Sequence, residues 1–124
     1  MNILLVEDDP SILRGLEMNL SIEGYEIETA DDGDEGLTRA LAEPWDLLIL
    51  DIMLPKLDGL SLIGRLRRQK VMTPVIILSA QGTIPEAVDA TKKGAFSFLA
   101  EPLDSKTLER QIGEALAAPL PSPA

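Results

Sequence analysis

The 124-residue chain contains no cysteine and no histidine. Without thiols there is no disulfide framework, no thiolate zinc site and no Cys nucleophile. Without imidazole, His-based metal sites and His general-base triads are excluded as well, which leaves carboxylates, hydroxyls and Lys for any chemistry. Aromatic side chains are scarce, at 3%. So are cations: 11 Lys and Arg stand against 21 Asp and Glu, for a formal net charge of −10. That balance argues against nucleic-acid binding by this domain, since such binding needs a basic face. No apolar run reaches the ~18 residues of a membrane span. Met1-Asn2-Ile3 brings no basic segment of a signal peptide. A cytoplasmic domain with no membrane partner is expected. What the chain does have is 45% apolar residues, in a length that suits one domain with a real core and is too short for two ordinary ones.

Four short apolar runs stand out: Ile3-Leu4-Leu5-Val6, Leu47-Leu48-Ile49-Leu50, Val75-Ile76-Ile77-Leu78 and the weaker Ala95-Phe96-Ser97-Phe98-Leu99. Runs of this length, bounded by polar or turn residues, predict strands buried on both faces of a parallel sheet. Tyr25-Glu26-Ile27-Glu28-Thr29 alternates instead, as an edge strand with one wet side does. Helical spacing lies between the runs. Ile12, Leu13, Leu16 and Leu20 follow the helix start Pro10-Ser11. Leu37, Ala40 and Leu41 mark a second helix. Leu62, Ile63 and Leu66 mark a third, with Arg65, Arg67 and Arg68 toward its end, where cations suit the dipole. Ile84, Ala87, Val88 and Thr91 mark a fourth, opened by Pro85 and closed by Gly94. Leu108, Ile112 and Leu116 mark a fifth, after the cap Asp104-Ser105. The reading is therefore α/β, (βα)5, a doubly wound parallel five-stranded sheet covered on both faces. Pro119-Leu120-Pro121-Ser122-Pro123-Ala124 cannot extend a helix, so residues 119–124 read as a Pro-rich tail or linker after a domain spanning 1–118.

The chemistry lies just past the strands. Glu7-Asp8-Asp9 follows the first run, Asp51 the second central run, Ser79-Ala80 the next, and Glu101-Pro102 the last. In an open α/β sheet, ligands bind outside the carboxyl ends of the strands, where the strand order reverses. Carboxylates ending neighbouring central strands repel one another at low dielectric. A divalent cation with oxygen ligands holds them together, and Mg²⁺ suits such a partly hydrated site.

The segments Leu5-Val6-Glu7-Asp8-Asp9, Leu50-Asp51-Ile52-Met53-Leu54-Pro55 through Asp58-Gly59, Ser79-Ala80, and Gly94-Ala95-Phe96-Ser97-Phe98-Leu99 to Pro102 resemble the receiver (phosphoacceptor) domain of two-component response regulators. The resemblance implies the flavodoxin-like strand order 2-1-3-4-5. It assigns Asp51 as the phosphoacceptor, whose carboxylate attacks a phosphohistidine to form an acyl phosphate. Asp8, Asp51 and the Met53 backbone carbonyl would hold Mg²⁺, with Glu7 acting through water. Ser79 matches the switch hydroxyl, Ala80 supplies a backbone amide, and Phe98 matches the switch aromatic. The implied partners are a histidine kinase or phosphotransfer protein and a downstream effector, reached through residues 84–116. A homodimer is also allowed, although Ser97 stands where many winged-helix relatives carry an Asp that bridges two receivers. Such a domain is not an enzyme in the ordinary sense; it catalyses only its own phosphotransfer and dephosphorylation.

One position departs from the family. Glu101 occupies the place of a Lys that pairs with the acceptor carboxylate. The exchange makes the site two formal charges more negative, beyond what one divalent ion cancels. At ~4 Å and an effective dielectric of ~20, each charge pair is worth about 4 kcal/mol before relaxation and screening. The favoured expectation is retained but impaired phosphorylation. The alternative is a pseudo-receiver, a protein-interaction module that works without phosphate. Lys56, after Asp51, offers a substitute ammonium in principle but reads first as a solvated loop Lys. Two other classes fit less well. A phosphatase with an Asp nucleophile needs a second Asp where Met53 stands. A nucleotide-binding domain needs a glycine-rich turn where the chain has Glu7-Asp8-Asp9.

Overall fold

A computed structural model describes residues 1–80, 82–100 and 104–117. Glu101 and the tail expected over 119–124 lie outside these residues. Strands and helices alternate strictly: β1 (Asn2–Val6), α1 (Pro10–Ile22), β2 (Glu26–Ala30), α2 (Gly33–Ala42), β3 (Leu47–Asp51), α3 (Gly59–Arg68), β4 (Val75–Ser79), α4 (Ile84–Lys92), β5 (Ser97–Ala100) and α5 (Ser105–Ala117). The five strands form one parallel sheet in the order β2-β1-β3-β4-β5. Both the (βα)5 reading and the implied strand order hold.

The central strands are buried on both faces because each is a continuous apolar run. Residues 3–6, 47–50 and 75–78 are at most 1% exposed. Their side chains feed two cores. Leu4, Val6, Leu48, Leu50 and Ile77 pack with Ala40 of α2, with Leu62, Ile63 and Leu66 of α3, and with Ala90 of α4. On the opposite face Ile3, Leu5, Ile49, Ile76 and Leu78 pack with Leu16 and Leu20 of α1 and with Leu108, Ile112 and Ala115 of α5. Complete burial of one such side chain stabilises by about 1.5–3 kcal/mol, so this two-sided packing fixes the sheet and with it the ends of its strands.

Side-chain caps set the helix starts. Asp9, Asp32 and Asp58 accept the backbone N–H groups of Ser11, Glu35 and Ser61 at 2.9, 2.8 and 2.8 Å, satisfying donors that a first helical turn leaves orphaned. Asp104 does the same for the Lys106 N–H at 3.3 Å.

One expectation needs correction at the far edge of the sheet. The fifth strand is 97–100, not 95–99, and none of its residues is fully buried. The Ala95 N–H is used by the Ala90 carbonyl at 2.9 Å, which keeps Ala95 in the turn that leaves α4. An edge position then leaves β5 with one paired flank only. The fourth helix forms where its apolar residues mark it, but Ile84 and Val88 lie on its outer side. Ile84 is 78% exposed and Val88 is 45% exposed, whereas Ala90 is buried.

Candidate functional site

The parallel pairing brings the carboxyl ends of β1, β3 and β4 side by side. Val6 is in register with Leu50, and Asp51 with Leu78. Beyond Val6 the Glu7 N–H donates to the Ala30 carbonyl at 3.1 Å, and beyond Asp51 the Ile52 N–H donates to the Leu78 carbonyl at 2.9 Å. The ladder thus carries Glu7, Asp8 and Asp51 to the same rim. One carboxylate oxygen from each of the three lies within 4.8 Å of those of the other two. Residues separated by more than forty positions in the chain meet, as the strand-end argument requires.

Their environments differ. Asp8 is exposed, Asp51 half-buried and Glu7 buried. Glu7 Oε1 accepts the Asp9 N–H at 3.1 Å. Glu7 Oε2 is buried and has no hydrogen-bond partner among the described residues. Burial pushes the Glu7 carboxyl up to about 8, and the neighbouring Asp51 charge acts in the same direction. Asp51 is raised too, by burial first and then by the Asp8 charge, while the Met53 N–H opposes this from 3.2 Å by donating to Asp51 Oδ1. A buried carboxylate oxygen with no partner among the described residues, beside two more carboxylates, is the donor set of a hard divalent cation, and all the ligands offered are oxygen. The chain's own residues therefore fit Mg²⁺.

The loop after Asp51 is tightly folded. Gly59, which opens α3, donates its N–H to the Ile52 carbonyl at 3.0 Å. A Cβ at this position would lie 2.5 Å from the Asp51 carbonyl oxygen. Met53 follows Asp51 on the outside, with its side chain exposed. Lys56 Nζ lies 3.4 Å from Asp32 Oδ2, at the start of α2, and its side chain is largely in solvent. It is engaged with the α2 cap, in keeping with the solvated-loop reading.

Ser79 ends β4 and is buried. Its Oγ donates to Glu86 Oε1 at 3.0 Å and accepts the Gly82 N–H at 3.1 Å. Ala80 is exposed next to it. Phe98 sits on β5 opposite Ile77, partly buried against the core that includes α3 and α4. Glu101, assigned from sequence to the Lys position, lies outside the described residues. Sequence reasoning missed Glu86. Its signal was present as Thr83-Ile84-Pro85-Glu86, the spacing of a capping box, which the structure forms at the start of α4.

The acidic residues Asp31, Asp32 and Glu35 form a second carboxylate group. Here the Glu35 N–H and Lys56 hold Asp32 below its ordinary value, so its charge is already used by the α2 cap. No described helix is long and apolar enough to cross a membrane.

Comparison with known proteins converges on one family. The model described as response regulator receiver domain matches residues 3–113. The chain is 42% identical over 121 residues to the transcriptional regulatory protein GlrR of Escherichia coli (strain K12), covering 98% of this chain and 27% of that protein. The Francisella response regulator 1452 receiver domain superposes with a TM-score of 0.89 at 30% identity, covering 93% of this chain and 95% of that one. The receiver domain of sensor histidine kinase PA1611 from Pseudomonas aeruginosa PAO1, solved with a magnesium ion coordinated in the active site cleft, gives a TM-score of 0.87 at 28% identity, covering 94% and 98%. The chain spans about a quarter to a half of the length of the curated relatives it matches.

Proposed function

The chain belongs to the response regulator receiver family, and on that premise we propose that Asp51 accepts a phosphoryl group from a histidine kinase or phosphotransfer protein. The observation that supports this reading is the meeting of Glu7, Asp8 and Asp51 within 4.8 Å, with Glu7 Oε2 buried and without a hydrogen-bond partner among the described residues. An Asp51 carboxylate oxygen attacks phosphorus, the bond to the donor nitrogen breaks, and the imidazole leaves as an acyl phosphate forms. Asp8, Asp51 and the Met53 carbonyl would hold Mg²⁺, with Glu7 acting through water. When bound, the ion supplies positive charge that offsets the phosphoryl oxygens. The Ser79 hydroxyl and the Ala80 N–H donate to the phosphoryl oxygens, and Phe98 follows the Ser79 hydroxyl as the switch aromatic. The output is a shift in population between two arrangements. It is read through residues 84–116 by an effector domain or protein, or by a second copy in a homodimer. The exposed Ile84, Val88 and Phe96 support that surface. The domain acts in the cytoplasm, binds neither membrane nor nucleic acid itself, and turns over no substrate beyond its own phosphoryl group.

A second reading is favoured by one observation, Glu101 at the Lys position. It makes the domain a pseudo-receiver that docks its partner without phosphate. Incubation with a small phosphodonor and Mg²⁺, read by intact mass, separates the two. One added phosphoryl group on the wild type and none on Asp51→Asn is expected. Phosphate on Glu101→Lys but not on the wild type would move the assignment to the pseudo-receiver.

A further inference from the structure

The Ser79 hydroxyl is tied to a residue outside the carboxylate cluster. Its Oγ–H donates to Glu86 Oε1 at 3.0 Å. The same oxygen accepts the Thr83 N–H at 3.4 Å, while the Glu86 N–H donates back to Thr83 Oγ1 at 3.3 Å. A single carboxylate oxygen therefore serves both the end of β4 and the capping box that starts α4. The connection between them is held close. The Gly82 N–H donates to Ser79 Oγ at 3.1 Å. Gly82 has φ +60, and a Cβ there would lie 2.5 Å from the Ala100 Cβ of β5.

A serine hydroxyl has one proton to donate. It cannot give that proton to Glu86 and to a phosphoryl oxygen on Asp51 at the same time. Both acceptors are anionic, so each bond is of the charge-assisted kind, and the exchange between them is a contest of similar strengths. We propose that Glu86 is a positioning residue that competes with the Asp51 phosphoryl group for the Ser79 hydroxyl, so that phosphorylation releases Ser79 from the α4 capping box. This rests on Asp51 being the acceptor and Ser79 its donor. The exchange moves one hydrogen bond; the proton stays on Ser79 Oγ and no covalent bond changes. Without phosphate, the hydroxyl holds the Glu86 carboxylate in place and the first turn of α4 is closed. With phosphate, Glu86 loses its strand-end donor. The first turn of α4, which carries the exposed Ile84 and Val88, then loosens.

Two measurements test this. In the absence of phosphate, Ser79→Ala is expected to speed amide hydrogen exchange in the first turn of α4 several-fold. Unchanged exchange there overturns the proposal. With a small phosphodonor and Mg²⁺, intact mass is used to compare the wild type, Glu86→Ala and Glu86→Gln. Glu86→Ala is expected to lower the donor concentration for half-maximal phosphorylation about tenfold. Glu86→Gln, which deletes the charge but keeps an acceptor, should fall between. Placing Glu86→Ala in a Ser79→Ala background should erase the gain. Equal gains from Gln and Ala, or a gain that survives without Ser79, would reduce the effect to charge alone and overturn the proposal. If phosphate is taken and Glu86→Ala changes nothing, the proposal falls and the Asp51 reading stands. If no variant takes phosphate, the Asp51 reading falls and this inference with it.

Discussion

Glu7 and Asp51 each bring a carboxylate oxygen within 4.8 Å of the other, one from a buried side chain and one from a half-buried side chain. Both acids are raised, chiefly by burial, and Glu7 reaches about 8. The folded value of Glu7 lies above the ordinary value of 4.5, so its protonated form stabilises the fold. That contribution is complete below about 4.5 and is lost as the pH rises toward 8. The slope is at most ~1.4 kcal/mol per pH unit. In metal-free buffer the Tm is expected to be lower at pH 8 than at pH 5.5. On the proposed reading the ionised carboxylates would hold Mg²⁺, so its stabilisation should be larger at pH 8 than at pH 6. Thermal unfolding at three pH values, with and without Mg²⁺, checks both statements. A metal-free Tm that rises with pH across this window would contradict the pairing.

Glu7→Gln separates the cost of the acid from its use. The amide keeps the shape and removes the buried charge, whose desolvation is expensive. At pH 8 without metal the variant is expected to be more stable than the wild type by about 1–3 kcal/mol. Its Mg²⁺ affinity should fall about 10–100-fold, the usual range for a supporting group at a metal site. Urea unfolding and a Mg²⁺ titration measure the two effects in the same sample.

Gly59→Ala tests the loop that follows Asp51, the proposed acceptor. The new Cβ would stand 2.5 Å from the Asp51 carbonyl oxygen, and its nearest neighbours are all backbone atoms of Asp51 and Ile52, which leaves little to give way. A loss of about 1–3 kcal/mol is expected, as for other overpacked sites. It should appear as a lower urea midpoint with an unchanged slope, accompanied by slower phosphorylation of Asp51.

Lys56→Ala tests whether the loop ammonium serves the proposed acceptor, Asp51. Its ion pair with Asp32, at 3.4 Å, is mostly in solvent and is worth less than about 1 kcal/mol. A small stability change and unchanged phosphate incorporation are expected. A tenfold drop in incorporation would show that Lys56 substitutes for the family Lys.

Much of this architecture was legible because its causes are local. A run such as Leu47-Leu48-Ile49-Leu50 has no polar face and is satisfied only inside a covered sheet. The carboxylates at 7, 8 and 51 follow such runs directly, so topology alone predicts their meeting. The edge was harder to read. Ile84 and Val88 have helical spacing, but periodicity finds a stripe without saying whether anything covers it, and beside the half-buried β5 nothing among the described residues does. Ala90, a small residue at another angle of the same helix, meets the core instead. The bond from Ser79 to Glu86 was not legible either. The capping box is written in Thr83 and Glu86, but its link to the strand end depends on the path of the intervening turn.

The opposite margin of the sheet has a separate consequence. β2 has a neighbour on one side only, β1, and its exposed positions are Glu26 and Glu28. An open strand margin is a template for adding a strand from another molecule. Here a second copy aligning there would set acid against acid along the seam. That repulsion disfavours end-to-end stacking into fibrils, and it costs the site at the carboxyl rim nothing.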